Sequence, residues 1–192
     1  MRLCCPLNGA GILARIFKND TAVTETKLAL AVTFYQQGKK EQGLKLAKQA
    51  LGNDLEYADL TVLEENLWGS KLLKDTETLL SEEQIKVFIV EVKKTFELNQ
   101  QAIQLYKKGR YGEAEPLYTE ALAMYKRLFP DDHPDVATSL NNLAELYRAQ
   151  GRYGEAEPLY TEALAMKKRL FPDDHPDVAT SLNKYLDRIT CI

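Results

Sequence analysis

The chain has 192 residues, of which 45% are hydrophobic, a proportion typical of folded globular proteins. Its 25 Lys and Arg against 28 Asp and Glu give a formal net charge of -3, so no basic excess is present to neutralise the phosphates of a nucleic acid or an anionic membrane. Charged residues interrupt each long hydrophobic segment before it reaches the roughly 20 residues that cross a bilayer. We therefore expect a partner that is neither nucleic acid nor membrane.

The first predicted segment, residues 1–23, is weakly apolar and contains Pro6 and two glycines. Its apolar run is short for a secretory signal peptide, so we expect a weakly ordered segment or a remnant helix. Cysteines occur only near the two ends, at Cys4, Cys5 and Cys191, without the spacing of a disulfide framework or a zinc site. Such cysteine usage suits a reducing compartment and predicts a cytoplasmic protein.

Two helical segments follow. Residues 24–52 are predicted to form a helical hairpin with Gly38 at its turn, small residues at Ala31 and Gly43, and an aromatic residue at Phe34. Residues 53–94 are predicted to be a helical connecting region, in which Ser81-Glu82-Glu83-Gln84 fits a capping box at the start of a helix. The spacing of the small residues in the hairpin recurs further along the chain.

Residues 95–192 contain a near-exact repeat. Arg110–Leu140 and Arg152–Leu182 are the same 31-residue string, except that Tyr125 in the first is Lys167 in the second, and the period is 42 residues. Periods of 20 to 50 residues are typical of stacked units, because one unit cannot bury its hydrophobic face alone. We therefore expect two near-identical units followed by a terminal half-repeat helix.

Each unit reads as two amphipathic helices, A and B. Apolar residues at three- and four-residue steps from Val136 to Tyr147 mark helix A, and a second such run from Ala156 to Leu170 marks helix B. Gly151 is placed to end helix A in the left-handed conformation. We expect Pro116 and Pro158 to lie in about the first turn of helix B, where proline removes little.

The repeat resembles the tetratricopeptide repeat family. The small residues at fixed offsets, an aromatic residue at Tyr147 or Phe34 and the turn glycines carry this resemblance. The 42-residue form, as in residues 114–147, is similar to the repeats of kinesin light chains in particular. Residues 28–51 and 57–80 resemble the ends of bacterial, especially cyanobacterial, proteins with such repeats. The resemblance implies an all-α solenoid of tetratricopeptide-type helical hairpins that winds as a right-handed superhelix.

The resemblance also implies where a partner would bind. In this family the concave face is lined mainly by helix A, so the exposed positions of that helix are the candidate contacts. Asparagine side chains can hydrogen-bond a peptide backbone there, and basic side chains can pair with acidic groups. The candidate partner-binding residues are Asn99, Ile103, Thr138, Asn141, Asn142, Glu145, Arg148, Thr180, Asn183, Lys184 and Asp187.

The sequence predicts no catalytic, metal or cofactor site. His133 and His175 each lie in an Asp-Asp-His-Pro-Asp connector, one repeat apart, whereas a catalytic zinc ion needs three ligands at one point. We expect these histidines to cap helices instead. No nucleophile has an evident base beside it, and no glycine-rich phosphate loop occurs.

We therefore expect a non-catalytic scaffold or adaptor that binds a peptide or partner protein. One alternative is a cargo adaptor of a microtubule motor, as in kinesin light chains, although no heptad pattern for a coiled coil precedes the repeats. Another is a regulatory fragment of a larger enzyme or signalling protein. We also expect weak self-association through the C-terminal helix, because its apolar residues are many for the end of a stack.

Overall fold

A computed structural model describes residues 20–66 and 68–171, together with 176 and 178–180. All regular structure in these residues is helical, which confirms the predicted all-α class. The elements are α1 (Asp20–Gln36), α2 (Lys40–Asn53), a 3-10 helix (Leu55–Ala58), α3 (Leu60–Glu65), α4 (Ser70–Leu80), α5 (Glu83–Lys107), α6 (Tyr111–Leu128), α7 (Pro134–Ala149) and α8 (Tyr153–Leu170). Among these helices, none is both long and apolar enough to span a membrane.

The chain divides into two compact units, Met1–Val90 and Glu91–Ile192, and the boundary falls within α5. In unit 1, α1 and α2 form a helical hairpin around the buried residues Leu28, Ala31, Ala47 and Leu51. Gly43 of α2 lies close to the backbone of α1. A Cβ atom placed there would lie 2.8 Å from the carbonyl oxygen of Ala31, so glycine sets the distance between the helices.

The predicted capping box at Ser81 is wrong. The Ser81 hydroxyl donates a hydrogen bond to the carbonyl oxygen of Thr78 over 2.7 Å, and Ser81 is the C-cap residue of α4. Helix α5 begins at Glu83. Ser81 is therefore placed to satisfy a carbonyl group at the end of one helix, and its hydroxyl is not directed to the first turn of the next.

The hairpin turns of the two units have the same backbone geometry. Gly38, Gly109 and Gly151 have φ angles of 79°, 72° and 75°, in the left-handed region. In the last of these turns, the N–H of Arg152 donates to the carbonyl oxygen of Tyr147 over 2.8 Å, and the N–H of Gly151 donates to Arg148 over 3.0 Å. This pattern is a Schellman motif, which confirms the predicted turn glycines.

In unit 2, α5 to α8 pack through small residues at the predicted spacing. The side chains of these alanines are 0% or 1% exposed: Ala102, Ala114, Ala121, Ala144, Ala156 and Ala163. Their lack of bulk lets the larger Tyr160 lie fully buried beside Ala144 and Ala156. The core of unit 2 therefore alternates small and large side chains, as close packing of helices requires.

Pro116 and Pro158 do not lie in the first turn of helix B, as expected from the sequence. Each is the sixth residue of its helix, because α6 begins at Tyr111 and α8 at Tyr153, immediately after the Schellman turns. A residue in the second turn would normally donate to the carbonyl group four positions earlier, that of Gly112 in α6. Gly112 is exposed, so water can satisfy this carbonyl oxygen.

Three rings stack where α6 leads into its connector to α7. The rings of Tyr125 and Phe129 lie 6.2 Å apart, and those of Phe129 and His133 lie 3.7 Å apart at an interplanar angle of 11°. The His133 Nδ1 atom accepts a hydrogen bond of 3.2 Å from the N–H of Asp135, which confirms that His133 caps a helix. Burial raises the pKa of the Asp135 carboxyl. His175 lies outside the described residues.

Candidate functional site: the helix A surface

Seven of the candidate partner-binding residues lie on α5 and α7, which are the A helices of the two repeats. Two contacts bring these helices together: the side-chain nitrogen of Asn142 lies 3.5 Å from Oδ1 of Asn99, and the Tyr106 hydroxyl donates to Glu145 over 3.3 Å. The helix A surface is defined here by these exposed or partly buried residues: Phe96, Ile103, Tyr106, Thr138, Asn142, Glu145 and Arg148.

The predicted residues differ in how accessible they are. Thr138, Arg148 and Thr180 are exposed, and the Thr180 hydroxyl donates to the carbonyl oxygen of Pro176 over 2.8 Å. The side chains of these residues are partly buried: Ile103, Asn142 and Glu145. Three further candidates lie outside the described residues: Asn183, Lys184 and Asp187.

The expectation that Asn99 and Asn141 are exposed is wrong. Asn99 is 8% exposed and Asn141 only 3%. Helix α7 lies between α6 and α8, so only a narrow stripe of its surface stays accessible, and Asn141 falls outside that stripe. A buried amide is not accessible to an incoming peptide, so neither asparagine is a contact for a partner.

A shared carboxylate links three helices beneath the helix A surface. Glu145 of α7 accepts hydrogen bonds from the hydroxyl of Tyr160 on α8, over 2.7 Å, and from that of Tyr106 on α5. It also accepts two from the guanidinium of Arg148, one turn along the same helix. Burial, reinforced by the Glu145 carboxylate, raises the pKa of Tyr160 and of Tyr106. Both tyrosines therefore stay protonated and remain donors at neutral pH.

Glu145 was predicted as a contact for a partner, but its two oxygens are already occupied by donors from three helices. Such a network fixes the spacing of α5, α7 and α8, because each hydroxyl must stay near the same carboxylate. The hydrogen bonds to Glu145 also raise the pKa of Arg148, which therefore stays charged. Arg148 remains exposed and keeps N–H groups for other acceptors.

Two residues of this surface, Phe96 and Tyr106, were not predicted from the sequence. Phe96 is 54% exposed, and it occupies the position of Thr138 one repeat earlier. Tyr106 similarly occupies the position of Arg148. Subtracting the 42-residue period from the predicted contacts would have found both. The surface is consequently more apolar on α5, with Phe96 and Ile103, and more polar on α7.

The arrangement is suited to binding by contact and hydrogen bonding. It offers an exposed aromatic ring, hydroxyl and amide groups, and one guanidinium on two fixed helices. Within the part of the chain that the structure describes, no group of three His, Cys, Asp or Glu residues could hold a metal ion.

The family model of the tetratricopeptide repeat matches residues 95–169, less than half of the chain. The matched segment covers the C-terminal half of α5, all of α6 and α7, and α8 to its penultimate residue. A comparison with curated proteins finds no match to this chain. Over its repeat segment the chain is therefore similar to tetratricopeptide repeat proteins, and the helical hairpins there have the all-α fold that this similarity implies.

Proposed function

We propose that the chain is a non-catalytic scaffold that binds a peptide or partner protein on the helix A surface. The main support is Phe96, an aromatic side chain that is 54% exposed on a helix whose neighbouring positions carry polar contacts. Exposed aromatic residues on ordered surfaces are frequent anchors of protein interfaces. Tetratricopeptide repeats generally mediate protein–protein interaction, which agrees with this role.

The Glu145 network supports the proposal because it holds the surface in one geometry. Phe96 lies on α5 and Thr138 on α7, and the hydrogen bonds from Tyr106 and Tyr160 to Glu145 fix these helices relative to each other and to α8. A surface that is ordered before binding loses less conformational entropy when the partner arrives. More of the contact energy then appears as affinity.

The chemistry of the surface indicates what it would contact. Phe96 and Ile103 offer apolar area for an aliphatic or aromatic side chain. Thr138 and Asn142 can hydrogen-bond a peptide backbone, and the remaining N–H groups of Arg148 can donate to a carbonyl or carboxylate oxygen. We therefore expect the partner to bring an apolar side chain to α5 and hydrogen-bond acceptors to α7.

The test compares two matched double variants. Phe96→Ala with Thr138→Ala changes the helix A surface, and Tyr153→Ala with Thr119→Ala changes the B helices, where Tyr153 is 58% exposed and Thr119 is exposed. Proteins retained from the native lysate by each variant and by the wild type are identified by mass spectrometry. The segment that binds is then titrated by calorimetry.

We expect the wild type and the helix B variant to retain a protein that the helix A variant loses. In calorimetry, the dissociation constant of the helix A variant should be at least about tenfold higher than that of the wild type. All three chains must show the same helical content by circular dichroism. If the helix A variant keeps the full affinity for whatever the wild type binds, the proposed surface is wrong. If the wild type retains no protein, the scaffold function itself is not supported.

A kinesin-light-chain-like cargo adaptor is the alternative within the same class. The turn glycines Gly109 and Gly151 stand 42 residues apart, as in the longer repeats of that type. This alternative predicts that a motor heavy chain is among the retained proteins. The three cysteines lie near the two ends of the sequence, without the spacing of a disulfide framework, and this usage suits a reducing compartment. We therefore infer a cytoplasmic location for either role.

A further inference from the structure

Helices α6 and α8 have the same sequence except at Tyr125 and Lys167. In unit 2, α6 carries a stripe of residues that recur at three- and four-residue steps, here called the α6 stripe: Glu115, Thr119, Leu122 and Lys126. The two ends of this stripe pair with α8. Glu115 accepts a hydrogen bond of 2.8 Å from Arg152, and Lys126 donates one of 2.8 Å to Glu162. Leu122, between these pairs, is only 9% exposed.

The charges along the two facing helices are complementary in order. From its N-terminus, the α6 stripe carries an acid first and a base last. The facing side of α8 carries a base first, Arg152, and an acid last, Glu162. Each end of the stripe therefore meets the opposite charge, and this order distinguishes a matching helix from a mismatched one.

Helix α8 carries the same stripe a second time, as Glu157, Thr161, Leu164 and Lys168, here called the α8 stripe. Glu157, Thr161 and Lys168 are exposed, and Leu164 is only partly buried. Glu157 also takes part in an interaction within the chain. A carboxylate has two oxygens and accepts several hydrogen bonds, so a further cation can still pair with it.

The α8 stripe is complementary to itself when its direction is reversed. Read from the C-terminus, it carries a base first and an acid last, which is the order that the α6 stripe meets inside unit 2. A second α8 helix in antiparallel orientation therefore offers the required charges. Because the acid and the base lie at the two ends of the stripe, both ion pairs form at once around a two-fold axis.

We propose that the occupant of the α8 stripe is a second copy of this chain. In the pair, Glu157 of each copy contacts Lys168 of the other, and Leu164 packs near Thr161 of the other copy. The antiparallel arrangement also places the N-terminus of each helix beside the C-terminus of its neighbour, which is favourable for the helix dipoles.

The dimer is expected to be weak. One helix on each side buries less than the roughly 1,000 Å² that a stable interface needs, and exposed ion pairs contribute little individually. We therefore expect a dissociation constant on the order of 100 μM or weaker. Because solvent-exposed charges are screened, the association should weaken further as the salt concentration rises.

The test is sedimentation equilibrium of the whole chain at concentrations up to about 1 mM. Lys168→Glu leaves two acids on the stripe and Glu157→Lys leaves two bases, so each variant alone should dimerise at least about tenfold more weakly than the wild type. An equimolar mixture of the two variants should recover association, because both ion pairs form between unlike chains. The chain with both exchanges should also dimerise, since reversing both charges restores complementarity.

Lys71→Glu, an exposed lysine of α4, is the matched control for the change in net charge. Circular dichroism and thermal unfolding check that every variant is folded. A wild type that stays monomeric at about 1 mM overturns the proposal. So does a dimer that persists in Lys168→Glu, or a mixture of the two variants that fails to associate. The helix A surface is unchanged in all of these chains, so the outcome is independent of the proposed scaffold function.

Discussion

Gly43 is the residue at which a single added atom has the clearest consequence. A Cβ there would lie 2.8 Å from the carbonyl oxygen of Ala31 and 2.9 Å from the backbone nitrogen of Tyr35. Both are backbone atoms of α1, which cannot rotate away as a side chain could. We expect Gly43→Ala to lower the free energy of unfolding by roughly 1–3 kcal/mol, as overpacking does. Urea denaturation followed by circular dichroism measures this change.

Gly112→Ala provides the control, because this glycine lies in α6 with no atom within 4 Å of the added Cβ. Alanine there restricts the unfolded chain and favours the helix, so the free energy of unfolding should rise by roughly 0.5–1 kcal/mol. The same loss of stability in both variants would show that close approach at Gly43 is not the cause.

At the residue scale the sequence predicted the chemistry of helix A better than its accessibility. Thr138 and Arg148 are exposed as expected, whereas Asn141 is buried between neighbouring helices. Periodicity assigns a residue to a face, but the width of the exposed stripe depends on how many helices flank it. Phe96 was missed because its residue type differs from Thr138, although the 42-residue period relates the two positions.

At the scale of the element, the hairpin turns differ in what lies around the same backbone. Arg152 follows Gly151 and stacks 4.2 Å from the centre of the Tyr147 ring, and Lys39 lies 5.3 Å from the ring of Phe34 in the same relation. In the turn at Gly109 the corresponding residue is Leu105, which has no ring. A cation over an aromatic face adds stability that an aliphatic side chain cannot provide.

These differences predict unequal effects of the same substitution. Arg152 pairs with Glu155 and also with Glu115 of the preceding hairpin, whereas Arg110 pairs with Glu113 in its own first turn. Lysine has no planar fork for two-pronged pairing or stacking. We expect Arg152→Lys to lower the thermal midpoint by roughly 2–4 °C more than Arg110→Lys does. Differential scanning calorimetry of the two variants checks the order; equal midpoints would mean that the contact with Glu115 and the stacking add nothing.

The element boundaries show which local signals can be trusted. Gly38 and Gly151 were recognised as turns because only glycine adopts their left-handed backbone easily. The position of Pro116 was misjudged because proline is tolerated both at the start of a helix and, when the freed carbonyl is solvated, in the second turn. The residue type alone does not separate these cases.

At the scale of the whole molecule, ion pairs join the B helices of unit 2 to elements that precede them in the chain. Arg127 of α6 donates to Glu91 of α5 over 2.8 Å, and Arg169, which stands at the equivalent position in α8, donates to Asp132 over 2.6 Å. The first pair lies within one repeat, whereas the second ties the last turn of α8 to the connector between α6 and α7. In repeat proteins such contacts between neighbours supply much of the stability.

The pair with Arg169 predicts a defined pH dependence. The hydrogen bond from Arg169 lowers the pKa of the Asp132 carboxyl below its ordinary value of 3.8. A lowered pKa contributes stability that is present above 3.8 and is lost as the pH falls through the pKa of the folded state. We expect wild type to be more stable than Asp132→Asn at pH 6 and this difference to vanish in acid.

Chemical denaturation midpoints between pH 2.5 and 7 provide the measurement. Asp131→Asn, which changes the neighbouring exposed carboxylate, is the control for net charge. The salt dependence should follow the same order, because ion pairs near the surface are screened. A difference between wild type and Asp132→Asn that does not change with pH would contradict the assignment.

The architecture of unit 2 could be predicted because the same 31-residue segment occurs twice, 42 residues apart, with one difference. The division of the chain at Val90 could not, since it falls inside the continuous helix α5, where no glycine or proline marks a boundary. Helical propensity is local, whereas the division between compact units depends on which distant residues pack together. The predicted right-handed winding and the predicted domain limits therefore remain predictions.

The near-identity of α6 and α8 also bears on how the chain reaches its fold. Helix α7 packs against two helices of almost the same sequence. If, during folding, α7 packed against one of them through the surface meant for the other, many of the contacts would resemble native ones. Repeat proteins with similar units are prone to such misassembly. The 18-residue helices differ only at Tyr125, which is 3% exposed, and Lys167, which is 6% exposed. We expect Lys167 to help distinguish α8 from α6 during folding. Burying its charge costs free energy at any site that offers no partner for it.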